Sequence, residues 1–327
     1  MPELRWNPLL RTYTMVAANR QHRPQMPSDW CPFCKGSPSV PENYSVYAYP
    51  NDFPVLSPAY DAEQQEVAEH LYHIAPAYGH CEVILYSPDH NAKLYELSLD
   101  HLTELVQLWQ QRHNALTADK RIKYVFVFEN RGEEVGVTMP HPHGQIYGYS
   151  FVPLKIKTEL DSSAQYHAEH SCCLLCDLQR TEMEQKVRLI TQNNSFVAYI
   201  PHFTDYPFGV FISSRQHLGT FAEFSPQHCK DLADILRNIT GAFDQLYDRP
   251  FPYMMCIHQT PVNAHADYPN ADQYYHFHIE FYPPLRDRHK IKWYASSEMG
   301  AWAAANVVEV ETSADMLRQA LARFQNR

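Results

Sequence analysis

The chain aligns onto itself, in order, at five places, and this internal repeat constrains its architecture more than any other feature. Cys31-x-x-Cys34 matches Cys173-x-x-Cys176, and the run VYAYPNDFPVL (46–56) matches LITQNNSFVAY (189–199). CEVILYSPDH, ending at His90, matches FGVFISSRQH, ending at His217. Beyond each of those histidines stands a helix-opening serine, Ser98 and Ser225. His141-x-His143-x-Gln145 matches His276-x-His278-x-Glu280. Two copies of one α+β unit are therefore expected, covering 1–160 and 161–327.

Each copy carries one strongly periodic helix. Leu102, Leu105, Val106, Trp109 and Leu116 form one stripe at helical spacing, and Leu232, Ile235, Leu236, Ile239 and Phe243 form the other. Ser225-Pro226 is a cap followed by proline at the first helical position. Strands are expected at 124–130, 143–151, 252–258 and 276–282, where β-branched and aromatic residues cluster. Short strands with one long helix per half imply antiparallel sheets carrying helices. The polar stretch 161–171 is the expected linker.

Composition narrows the function. With 327 residues, 45% of them hydrophobic, the chain can bury a core without disulfides. Lysine plus arginine numbers 27 against 37 acids, a net charge of −10, which opposes a nucleic-acid or membrane-surface role. Neither G-x-x-x-x-G-K-[ST] nor G-x-G-x-x-G occurs, so no glycine-rich loop cradles phosphate. The N-terminal segment lacks the apolar core of a secretory signal, and no apolar run reaches membrane-helix length. Eight cysteines in such a chain point to the reducing cytoplasm, as free, metal-bound or catalytic thiols.

Each half offers two cysteines and two histidines in the same order. Cys31, Cys34, His90 and His141 form the first set; Cys173, Cys176, His217 and His276 form the second. A CxxC turn places two thiolates on one cation, and two distant imidazoles complete the tetrahedron zinc prefers. Such sites staple strands together. Cys81, Cys229 and Cys256 are expected in the core, and Cys172 as a bystander to Cys173.

The segment PHPHGQIYG (140–148) carries the most specific chemistry. In an extended chain, residues two apart face the same side, so His141, His143 and Gln145 project together. With His141 held by metal, His143 is fixed beside it. A neutral imidazole is a good nucleophile toward phosphorus near pH 7, given a partner that sets its tautomer. Gln145 cannot transfer a proton, so it is expected to position and polarise a phosphoryl oxygen.

The motifs CPFCKG, NDFPVL, SPDH, FENRGEEVG, PHPHGQIYG, PYMMCIHQTP and FYPPLR together resemble the galactose-1-phosphate uridylyltransferase family, a branch of the histidine-triad superfamily. The resemblance implies two pseudo-repeated histidine-triad-like halves and a two-step exchange. UDP-glucose would uridylylate His143, and galactose 1-phosphate would then take the uridylyl group. Asn51 and Asp52 fall where the family binds uridine, with Val40 lining that pocket. Asn130, Thr138 and Gln145 fall on phosphate contacts. Arg23 resembles an arginine that reaches the nucleotide across a homodimer interface, and Lys292, Trp293 and Glu298 fall where the family contacts the hexose.

The resemblance makes the first set a zinc site. It leaves two candidates for a second metal, zinc or iron: Cys173, Cys176, His217 and His276, which we favour, or Glu159, His258, His278 and Glu280. In the first case Glu159 is assigned to a helix or salt-bridge role. Rival functions are a nucleotide-sugar phosphorylase or adenylyltransferase acting on ADP-glucose, a histidine-triad hydrolase, and a non-catalytic zinc-ribbon module. Asn51-Asp52 and FENRGEEVG favour the uridylyltransferase over the phosphorylase. Gln145 standing in place of histidine disfavours fast hydrolysis.

Overall fold

The computed structural model describes residues 2–22, 30–38, 40–60, 65–68 and 71–327. Its strands are β1 (Glu3–Asn7), β2 (Thr12–Val16), β3 (Tyr47–Pro50), β4 (Gln65–Ala68), β5 (Tyr72–Pro76), β6 (Gly79–Leu85), β7 (Tyr124–Arg131), β8 (His143–Tyr149), β9 (Leu189–Gln192), β10 (Phe196–Tyr199), β11 (Phe211–Ser214), β12 (Tyr253–His258) and β13 (His278–Tyr282). The helices are α1 (Leu99–Thr117), α2 (Leu154–His170), α3 (Leu174–Gln185), α4 (Pro226–Leu246), α5 (Ala271–Tyr274), α6 (Ser296–Gly300) and α7 (Val310–Gln325).

Nine strands form one antiparallel sheet in the order β3-β6-β8-β7-β12-β13-β11-β10-β9. Outward from the β7–β12 junction, sequence-matched segments occupy matched places on either side, β8 opposite β13 and β6 opposite β11. The place of β3 is taken by β10, whereas the alignment of 46–56 with 189–199 puts β3 on β9, so that match is offset by one strand. The repeat thus appears as a near-symmetric sheet whose halves share hydrogen bonds, with Phe128 paired to Cys256 at the seam. A smaller antiparallel sheet, β2-β1-β5-β4, stands beside it.

One face of the large sheet carries α1 and α4. Their apolar stripes enter a single core with Ile84, Val125, Val127, Ile146, Ile257 and Ile279. Trp109 is completely buried there, and side chains of that size each stabilise the fold by about 2–3 kcal/mol. Both helices begin as expected: the Ser98 and Ser225 hydroxyls accept hydrogen bonds from the backbone N–H of His101 and His228.

Two elements differ from the sequence reading. The stretch 161–171, expected as the linker, is helical as far as residue 170, the C-terminal part of α2, whose Ile156 and Leu160 pack against the other sheet face while Ser163 is buried beside them. The second half also carries α7, whose Leu317 and Ala320 pack into the α1–α4 core. Cys81 and Cys229 are buried as expected, whereas Cys256 is only half-buried.

Candidate active site and metal centres

The alternation of β8 builds the site. Ile146 enters the core on the helix side, while Tyr147 and Tyr149 join the cluster on the opposite face. His143 and Gln145, in step with them, share that opposite face. Pro142 lies just before the ladder, so its missing N–H breaks no strand pairing. Gly144 points the other way, and a Cβ there would overlap the Tyr86 hydroxyl. Only glycine lets the reactive strand lie this close to Tyr86.

His143 is buried, and its Nδ1–H donates to the carbonyl oxygen of His141 at 2.7 Å. A carbonyl can only accept, so the ring's lone pair resides on Nε2. The edge of Phe33 packs against the imidazole, with ring centroids 5.0 Å apart. The Gln145 Oε1 accepts from Asn51 Nδ2 at 3.2 Å and from the Tyr147 hydroxyl at 3.1 Å. Both contacts engage the amide oxygen, which leaves the amide N–H groups as donors for a phosphoryl oxygen.

These groups border a cavity of about 640 Å³, walled by Phe33, Tyr49, Val83 and Met139, with Asn51, Asp52, His143 and Gln145 among its polar residues. Val40 packs behind that wall, in one buried cluster with Phe33 and Tyr49. Asn130 borders an adjoining cavity of about 240 Å³ that His143 also reaches. Among the described residues the buried Thr138 Oγ1 has no hydrogen-bond partner, and its chain neighbours Val137 and Met139 border the same adjoining cavity. Arg23 lies outside the described residues.

The proposed hexose residues are elsewhere. Lys292 Nζ lies 3.6 Å from Glu298, and Glu298 lines a different cavity, of about 740 Å³, with Tyr206, Met254 and Trp302. Trp293 is 67% exposed. A single chain therefore does not bring this trio to His143.

Several residues of the site escaped the sequence reading. Phe33 sits between the two cysteines of CPFC, and Met139 directly precedes PHPHG, so position in the motif could have flagged both. Tyr147 continues the two-residue period of His143 and Gln145.

Cys31, Cys34, His90 and His141 converge, with Sγ···Nδ1 separations of 3.8 Å (Cys31–His141), 3.3 Å (Cys34–His90) and 3.7 Å (Cys34–His141). Tetrahedral zinc would hold such ligands about 3.6 Å apart. The His141 Nε2–H donates to the Ser87 carbonyl at 2.8 Å, which presents Nδ1 to the metal. Burial holds the His141 pKa below its ordinary value, in the neutral form a ligand needs. Burial and the adjacent Cys31 push the Cys34 thiol up to about 11, a proton affinity that a bound cation would reverse.

The second set repeats this geometry. Cys176 Sγ lies 3.4 Å from His217 Nδ1 and 3.2 Å from His276 Nδ1, and Cys173 Sγ lies 3.9 Å from His276 Nδ1. His276 Nε2–H donates to the Ser214 carbonyl, and His217 Nε2–H to that of Asp272, each at 2.7 Å. Cys172 turns to Asp177 instead. Both sets fit a tetrahedral divalent metal. Glu159, His258, His278 and Glu280 also gather, with ligand atoms within 4.8 Å of one another. The two candidate second sites share no residue, and both assemble.

Residues 31–153 match the family described as galactose-1-phosphate uridyl transferase, N-terminal domain, and residues 159–320 match its C-terminal domain. A galactose-1-phosphate uridylyltransferase of Thermotoga maritima is 37% identical over 323 residues, covering 98% of both chains. One from Saccharomyces cerevisiae is 31% identical, covering 86% of this chain and 84% of its own. A solved uridylyltransferase structure superposes with a TM-score of 0.88 at 30% identity, covering 98% of this chain and 99% of the other. An ADP-glucose phosphorylase from Arabidopsis thaliana shares the fold at a TM-score of 0.74 and 24% identity, covering 98% and 99%.

Proposed function

The chain belongs to the galactose-1-phosphate uridylyltransferase family, and from that premise we propose how its residues divide the work of moving uridylyl from UDP-glucose to galactose 1-phosphate. The observation that carries the assignment is the posture of His143: Nδ1 tied to a backbone carbonyl, the ring at the edge of the large cavity, and Gln145 beside it.

In the first half-reaction, the Nε2 lone pair of His143 attacks the α-phosphorus of UDP-glucose. The bond from that phosphorus to the bridging oxygen breaks, and its electrons leave with glucose 1-phosphate. A phosphate monoester departs without prior protonation, so a glutamine donor suffices where an acid would be idle. Asn51 and Tyr147 hold Gln145 in the donating orientation, and Asn130 and Thr138 supply further phosphate contacts. Phe33, Tyr49 and Val40 make the apolar bed for the uracil, with Asp52 at the ribose. In the second half-reaction a phosphate oxygen of galactose 1-phosphate attacks the uridylyl phosphorus, and the P–N bond returns its electrons to His143.

Cys31, Cys34, His90 and His141 would hold a zinc ion that would supply a fixed cross-link, and Cys173, Cys176, His217 and His276 would hold a second zinc or an iron to the same end. The ring of His141 is anchored to Cys31 and Cys34, and its carbonyl orients His143, so the first site reaches the chemistry through the backbone. Thiolate ligands persist in a reducing compartment, which supports a cytoplasmic location. Among the described residues, no helix is long and apolar enough to cross a membrane.

The separation of Lys292, Trp293 and Glu298 from His143 supports a homodimer in which each active site takes its hexose contacts from the second copy. Trp293, Met299 and Trp302 are each more than 60% exposed, an apolar surface that such an interface would cover. Sedimentation equilibrium should give twice the chain mass, and a monomer at micromolar concentration would remove this assignment.

The reaction scheme is tested by isotope exchange. Incubated with UDP-glucose and radiolabelled glucose 1-phosphate alone, the protein should move label into UDP-glucose, because the first half-reaction is complete without the acceptor. Formation of UDP-galactose with no such exchange would mean direct transfer and would remove His143 as the relay.

A further inference from the structure

The repeat places a second copy of the reactive constellation on β13, with His278 where His143 stands and Glu280 where Gln145 stands. The posture is preserved: His278 Nδ1–H donates to the His276 carbonyl at 2.9 Å, as His143 does to that of His141. What differs is charge. Glu280 brings a carboxylate to within 3.4 Å of His278 Nε2, and Glu159 on α2 adds another, 2.8 Å from His258 Nδ1.

A buried carboxylate, Glu280, with the partly buried Glu159 close by, needs a cation or protons to offset its desolvation. A cation is already there. Lys155, on the first turn of α2, reaches Glu280 at 2.5 Å and lies 3.8 Å from Glu159. Its ammonium also meets the Tyr282 hydroxyl at 2.5 Å and lies over the Tyr282 ring, 4.7 Å from the centroid. Tyr282 donates to the same Glu280 oxygen, and Tyr275 donates to Glu159 at 2.6 Å.

One contact and one cation separate this cluster from the two cysteine sets. Oxygen and nitrogen ligands on a tetrahedral metal with bonds of about 2.0–2.1 Å would sit about 3.3 Å apart, and His278 and His258 lie 3.4 and 3.8 Å from Glu280. The 2.8 Å contact of His258 with Glu159 is instead a direct hydrogen bond that shares a proton. A metal entering here would have to displace that proton and the Lys155 ammonium from Glu280.

We infer that Glu159, His258, His278 and Glu280 form an ion-pair network in which the Lys155 ammonium stands in place of a metal ion, so that, among the described residues, metal binds only at the two Cys2His2 sites. The network also disarms the second copy of the reactive histidine: the carboxylates that bind Lys155 repel a phosphate from His278 Nε2. The inference rests on the reading of both cysteine sets as metal sites, and the probe distinguishes the two.

Full-length protein stripped of metal is titrated with cobalt(II), which gives intense visible bands on thiolate ligands and weak ones on oxygen and nitrogen. The wild type should take two equivalents, both thiolate-type. Lys155→Met should take a third, lacking the thiolate bands. A third, non-thiolate cobalt bound by the wild type at comparable affinity overturns the inference, whether or not Lys155→Met folds. So does a folded Lys155→Met that stays at two. Fewer than two thiolate-type cobalts would instead remove the reading of the cysteine sets.

Discussion

His143→Asn is expected to lower kcat by about 10⁴-fold or more, because nothing else at the site can carry the uridylyl group between half-reactions. Asparagine keeps a polar side chain of similar reach on β8, so the cavity formed by Phe33, Tyr49 and Met139 should keep its shape and bind UDP-glucose within a fewfold of the wild type. Intact-protein mass separates binding from chemistry. After brief exposure to UDP-glucose without acceptor, the wild type should gain one uridylyl group and the variant none. Wild-type turnover in the variant, or a mass gain in it, would place the nucleophile elsewhere. A gain of two groups in the wild type would show that His278 also reacts.

Cys34→Ser should cost both metal and activity. Cys34 touches His90 and His141 at once, so its loss removes the thiolate closest to both imidazoles. The expected outcome is one metal fewer per chain and a melting temperature lower by about 10 °C, as loss of about 3–5 kcal/mol implies at this chain size. Activity should collapse as well, since His141 ceases to be anchored and its carbonyl is what orients His143. Cys176→Ser is the control. It should lose a metal and comparable stability, yet retain most activity, because its site lies on the half of the sheet that does no chemistry. Equal loss of activity in both variants would mean that the first metal acts only through global stability; unchanged metal content in Cys34→Ser would remove the site.

The pattern of apolar residues made α1 and α4 legible, because their stripes run continuously and their caps are local. The chemistry of β8 was legible for the same reason: a two-residue period suffices to put His143 and Gln145 on one face. The helical form of 161–170 was not legible, because Ser163 is the one buried residue in that stretch and the apolar residues that dock α2, Ile156 and Leu160, precede it and meet the tyrosines of the sheet. Lys155 gave no local signal at all. Its partners Glu280 and Tyr282 are more than a hundred residues away.

By itself, then, the sequence determined the repeat, the reactive strand, the two cysteine–histidine sets and the family they belong to, because spacing and residue type within each short segment encode all of these. Only the tertiary structure decided how the halves join through β7 and β12, that both second-half clusters assemble together, that Gly144 is needed against Tyr86, and that a lysine lies among the carboxylates. Those outcomes depend on distances between side chains far apart along the chain, which sheet pairing and helix packing set and which no local periodicity specifies.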